Sequence, residues 1–161
     1  MNVTGFLRVA VVFALLVLLH YTVRPLLGGR APLDFLVIAM LIAAVRLRPG
    51  LAALLGLVVG LATDALTPSF GSGALALSVV AYAASWLKAV FFADNVILHA
   101  FFFFVGKWAF DVVYVLAERN RGAYEMATQI ALWSPLAAAL TAVTGIVVLL
   151  LFRGMLEAPS S

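Results

Sequence analysis

The sequence predicts an all-α, polytopic membrane protein, and three observations carry that prediction. Hydrophobic residues make up 66% of the 161 positions and charged residues only 11%, whereas about a quarter of a soluble domain is charged. The apolar residues gather into six segments that fill nearly the whole chain, so residues 1–161 read as a single six-helix transmembrane domain without a separate soluble one. Charges, prolines and glycines mark the breaks between segments.

A spanning helix needs roughly 20 apolar residues at about 1.5 Å each. Divided on that scale, the chain gives spans at 5–23, 32–47, 50–66, 73–91, 95–117 and 127–152. The first has Arg8 ahead of an apolar run, as a signal peptide would, but His20-Tyr21-Thr22-Val23-Arg24 offers no small-residue cleavage site. A retained anchor helix is expected. Spans two and three are short and are joined by Arg46-Leu47-Arg48-Pro49-Gly50, which packs two cations, a helix stop and a turn together and predicts a tight antiparallel hairpin. The connection 67–72 carries no charge and is expected to be partly buried in the protein.

Six spans place both termini on one side. Arg8, Arg46, Arg48, Lys88 and Arg153 fall on that side, and Arg24, Arg30, Arg119 and Arg121 opposite. Five against four, with two of the five in the tightest loop, puts the termini in the cytoplasm.

Several polar and small residues stand out against this background. Ala53, Gly56, Gly60 and Asp64 share an arc of about 80° on span three at 100° per residue. Gly56 and Gly60 form a G-x-x-x-G pair that lets another helix approach closely, either within the subunit or between subunits. Span four repeats the device with Ala74, Ser78, Ala81 and Ser85, and span six with Ala138, Thr141, Ala142 and Gly145. A compact bundle packed by backbone approach is expected.

Lys107 lies deep in span five, where an unpaired ammonium is costly. Asp111, four residues on, can reach it, and Tyr114 and Glu118 continue the stripe. A structural ion pair, a partner-binding surface and a proton or substrate path are all compatible with that stripe. His20 and His99 fall near span ends and read as interfacial residues rather than ligands.

No catalytic, cofactor-binding or metal-ligating residue is expected. Cysteine is absent, and no G-x-S-x-G, H-E-x-x-H or G-x-x-x-x-G-K occurs. The polar inventory is too thin to assemble a base, a nucleophile and oxyanion donors, so the chain does not read as an enzyme. Its net charge of +3 is dispersed over segment ends, unlike the basic stripe of a nucleic-acid binder.

Four stretches carry a family resemblance. They are Ala31-Pro32-Leu33-Asp34-Phe35-Leu36-Val37, Arg48-Pro49-Gly50, Gly60-Leu61-Ala62-Thr63-Asp64-Ala65-Leu66 and Gly71-Ser72-Gly73-Ala74-Leu75-Ala76-Leu77. Together they resemble the rod-shape-determining MreD family over about a third of the chain. Most specific is the Gly-Leu-x-x-Asp that precedes the pair Gly71 and Gly73. The resemblance implies a non-enzymatic scaffold of the bacterial inner membrane that binds MreC and helps couple the MreB cytoskeleton to peptidoglycan synthesis by RodA and its transpeptidase. It implies a fold like the six-helix substrate-binding subunits of energy-coupling-factor vitamin transporters, and such a subunit is the alternative function. Asp34, Gly56, Gly60, Asp64, Gly71, Gly73, Lys107 and Asp111 are the candidate structural or partner-binding residues, and membrane lipid is the remaining partner.

Overall fold

A helix that is apolar on every face has no surface to give to water and belongs at the centre of a fold. Phe35–Ala44 is such a helix, and all ten of its residues are buried. The computed structural model describes residues 3–27, 33–65, 70–87, 95–118 and 122–156. Among them are six helices and no strand: α1 (Val3–Leu27), α2 (Phe35–Ala44), α3 (Pro49–Asp64), α4 (Ser72–Trp86), α5 (Val96–Ala117) and α6, which runs from 123 to 156.

The helix ends follow from local chemistry. Asp34 caps α2 by accepting from the Val37 N–H at 3.4 Å, and Asn95 caps α5 by accepting from the Ile97 N–H at 2.9 Å. Pro49 opens α3, where its missing N–H is not needed. In α6, Pro135 withholds the N–H that an α-helix would direct at the Ala131 carbonyl. Just ahead of it the helix widens into a π turn at Gln129–Trp133, in which the Ser134 N–H reaches the Gln129 carbonyl.

Around α2 the others form a ring in the order α3, α4, α5, α6, α1, and α2 touches all five. The closest pairing is between α3 and α4. A Cβ on Gly56 would stand 2.5 Å from the Leu77 carbonyl oxygen, and one on Gly60 would collide with the backbone of Ala74. The G-x-x-x-G face is therefore consumed within the subunit, against α4. Its buried line is Ala52, Gly56, Gly60 and Asp64; Ala53 is only half-buried. Gly145 of α6 likewise admits the ring of Phe103 from α5.

The polarity of the bundle is inverted relative to a soluble protein. Leu18, Leu54, Val58, Phe101, Val143 and Leu151 point outward, while Asp34, Asp64, Lys107 and His20 are buried. Two helices, Val96–Ala117 and the stretch Ala123–Phe152, are long and apolar enough to cross a bilayer.

Several expectations need correction. Helices α2, α3 and α4, at 10, 16 and 15 residues, extend about 15 to 24 Å and fall short of a straight crossing of about 30 Å. The Arg46–Gly50 connection is tight, but α3 packs on α4 far more than on α2, because the large Leu, Ile and Met side chains of α2 cannot enter the glycine face. His20 is not interfacial: it is 3% exposed. Within the uncharged connection, Phe70 is exposed and Ser72 buried, while 67–69 lie outside the described residues. Arg30, Lys88, Arg119 and Arg121, counted for orientation, also lie outside them, as do the side chains of Arg24 and Arg153.

Candidate functional site

The sequence-predicted residues assemble into two separate units. The first is a charged cluster in the interior. Lys107, near the middle of α5, places its Nζ 2.9 Å from Asp34 Oδ2 and 2.6 Å from Asp111 Oδ1. One ammonium thus bridges the cap of α2 and its own helix one turn on. The same ammonium lies 4.9 Å from the centre of the Phe110 ring, whose face offers further stabilisation to a cation.

His20 extends the cluster to α1. Its Nδ1 stands 3.4 Å from Asp34 Oδ1 and accepts from the Leu36 N–H at 3.4 Å. On the far side, Ser134 follows the π turn of α6 and lies beside the Asp111 carboxylate, without a direct hydrogen bond to it. Two turns further along α6 is Thr141. Both hydroxyls are fully buried and find no hydrogen-bond partner among the described residues. Helices α1, α2, α5 and α6 therefore meet at one polar seam. Tyr114 and Glu118 are half-buried farther along α5.

Asp111 was legible from its spacing to Lys107. Asp34 was singled out only by resemblance, and its contact with Lys107 joins residues 73 apart, beyond the reach of helical periodicity. A clue lay in its type and place, since an aspartate directly before an apolar run is a helix cap. His20 gave no such signal.

The second unit is the turn between α3 and α4. Asp64, the last residue of α3, turns Oδ2 onto the backbone N–H groups of Gly71 at 3.0 Å and Ala74 at 2.9 Å. A carboxylate from one helix so caps the start of the next, where the helix dipole favours negative charge. Gly71 has φ +97°, a conformation that costs a side-chain-bearing residue. A Cβ on Gly73 would strike Asp64 Oδ1. These three residues form one built joint. Among the described residues, no cluster of three or more metal-ligating side chains occurs.

Removing the carboxylate should loosen the joint. Asp64→Ala is expected to lower stability by about 1.5 to 3 kcal/mol, as for hydrogen bonds to a charged group, and Asp64→Asn by less, since an amide oxygen can still accept. Melting of the detergent-solubilised variants checks this; equal melting of Asp64→Ala and the parent would show that the cap contributes nothing.

Compared with family models, with curated proteins and with solved structures, the chain finds no match.

Proposed function

We propose that the chain is an integral membrane scaffold of the bacterial elongation machinery, similar to MreD, that binds the membrane helix of MreC and carries out no chemistry of its own. The observation that carries this reading is the inverted polarity of the described bundle: Lys107, Asp34 and Asp111 pair inside, while large apolar side chains, mostly Leu and Val, point outward. Such a surface is suited to lipid and to helices within lipid. In this reading all six helices lie in the inner membrane with both termini cytoplasmic, and the shorter α3 and α4 are accommodated by local bilayer thinning.

The residues behind the family resemblance also support it. Gly60, Asp64, Gly71 and Gly73 form one structural joint, which gives a physical reason for their occurring together. With Gly56 and Gly60 occupied by α4, the partner's helix meets larger side chains on the outer faces. MreC would link the scaffold to MreB, RodA and the transpeptidase.

Copurification tests the proposal. Full-length MreC should be retained on the tagged chain in mild detergent, and MreC lacking its transmembrane helix should be lost. Undiminished retention of the truncated form would overturn it.

A second reading, a substrate-binding subunit of an energy-coupling-factor vitamin transporter, is favoured by the polar seam. His20, Asp34, Lys107, Asp111 and the buried Ser134 hydroxyl converge there from four helices, as a ligand site requires. Tight binding of a vitamin by the purified chain would favour this reading over the scaffold.

A further inference from the structure

We propose that the groove between α1 and α3 binds an anionic glycerophospholipid, with an acyl chain along its apolar walls and the phosphate at Arg46. The proposal rests on the membrane reading above. The groove has a volume of about 420 Å³; Val9 and Phe13 of α1 form one wall, Leu54 and Val58 of α3 the other, and Arg46 lies at the end of α2 between them. The lining is almost entirely hydrocarbon, and Arg46 is its one charged residue.

Charge selects the occupant. His20 of α1 meets Asp34 at the start of α2, so the two helices run antiparallel. Arg8 precedes His20 by as many residues as Arg46 follows Asp34, which brings both arginines to the same end of the bundle, about 18 Å from that contact. Arg48 belongs to the same end. The described carboxylates of α1 to α3 are Asp34 and Asp64, and both lie at the opposite end. Guanidinium groups suit phosphate oxygens geometrically and are weakly hydrated. Basic pockets between membrane helices on the cytoplasmic side are the expected place for anionic head groups.

Shape argues against a protein helix in the same place. Close helix approach in lipid needs small residues, and those of α3 are turned onto α4. The groove presents branched and aromatic side chains, to which a flexible acyl chain can conform. A contrasting pocket of about 230 Å³ between α4 and α5 has a wholly apolar lining that includes Val79. None of its lining residues is charged, so that lining offers nothing to distinguish one head group from another.

The test is native mass spectrometry of the full chain released from detergent after incubation with phosphatidylglycerol or phosphatidylethanolamine of identical acyl chains. Phosphatidylglycerol should be retained preferentially. Arg46→Ala should lower its retention about fivefold, equivalent to the roughly 1 kcal/mol per basic residue near an anionic surface. Leu54→Trp, at an exposed position that the bundle does not need for packing, should block the groove and lower retention of either lipid, while Val79→Trp should leave the phosphatidylglycerol preference unchanged. Equal retention of the two lipids by the parent chain, or phosphatidylglycerol retention unmoved by both Arg46→Ala and Leu54→Trp, would overturn the proposal. So would loss of a copurifying protein helix from Leu54→Trp with lipid retention intact. Failure of the membrane reading is separately visible, as a chain that stays monodisperse without detergent.

Discussion

Lys107→Met is expected to destabilise the bundle by about 3 to 5 kcal/mol, the cost of removing one partner from a buried ion pair. The side chain is 4% exposed and joins two carboxylates. Without it Asp34 and Asp111 face each other across a low-dielectric interior, where like charges repel strongly. Asp111→Leu should cost less, because the ammonium retains Asp34 at 2.9 Å. Joint replacement of Lys107 and Asp111 leaves the Asp34 carboxylate in place, so recovery requires Lys107→Met, Asp34→Asn and Asp111→Leu together. Thermal unfolding in detergent distinguishes these cases. A triple variant as unstable as the sum of the three singles would show that the groups do not act as one cluster.

Gly60→Ala is expected to lower stability by about 1 to 3 kcal/mol or more, as overpacking does, although alanine is the better helix former by up to about 1 kcal/mol. The new methyl would collide with the backbone of Ala74 and Gly73. Backbone cannot rotate aside as a side chain can, so α3 and α4 would have to separate, drawing Asp64 off the start of α4. Gly50→Ala, in the first turn of the same helix, has nothing within 4 Å of its added carbon and should be neutral or stabilising. Yield and melting temperature of the two variants give opposite signs. Equal melting would mean that α3 and α4 do not hold this contact in solution.

The contrast between these two sites shows what one-dimensional pattern conveys. Helical spacing brought Lys107 to Asp111 and Gly56 to Gly60, because both pairings are local and follow from 3.6 residues per turn. The same spacing is silent on which neighbour a face meets. Hence the close approach of α3 was legible and its partner α4 was not, and Asp111 was legible while Asp34 and His20 were not recognised as its companions. Segment length misled for a different reason. Leucine and valine in a connecting stretch such as Val45 and Leu47 raise its hydropathy, yet α2 ends at Ala44, where hydrogen bonds from Arg46 and Leu47 tighten onto the carbonyls of Ala43 and Ala44.

The position of α2 at the centre also sets an order of events during synthesis. The chain emerges from its N-terminus, so Asp34 is made 73 residues before the lysine that it meets in the finished fold, an interval of about 4 to 15 s at ribosomal speed. During that interval α2 is too short to hold a transmembrane position by its own hydrophobic length. Its last two neighbours, α5 and α6, arrive after all the others. The innermost helix is therefore among the first made and the last enclosed: α5 brings Lys107 and Asp111 to Asp34, and α6, made after it, closes the ring.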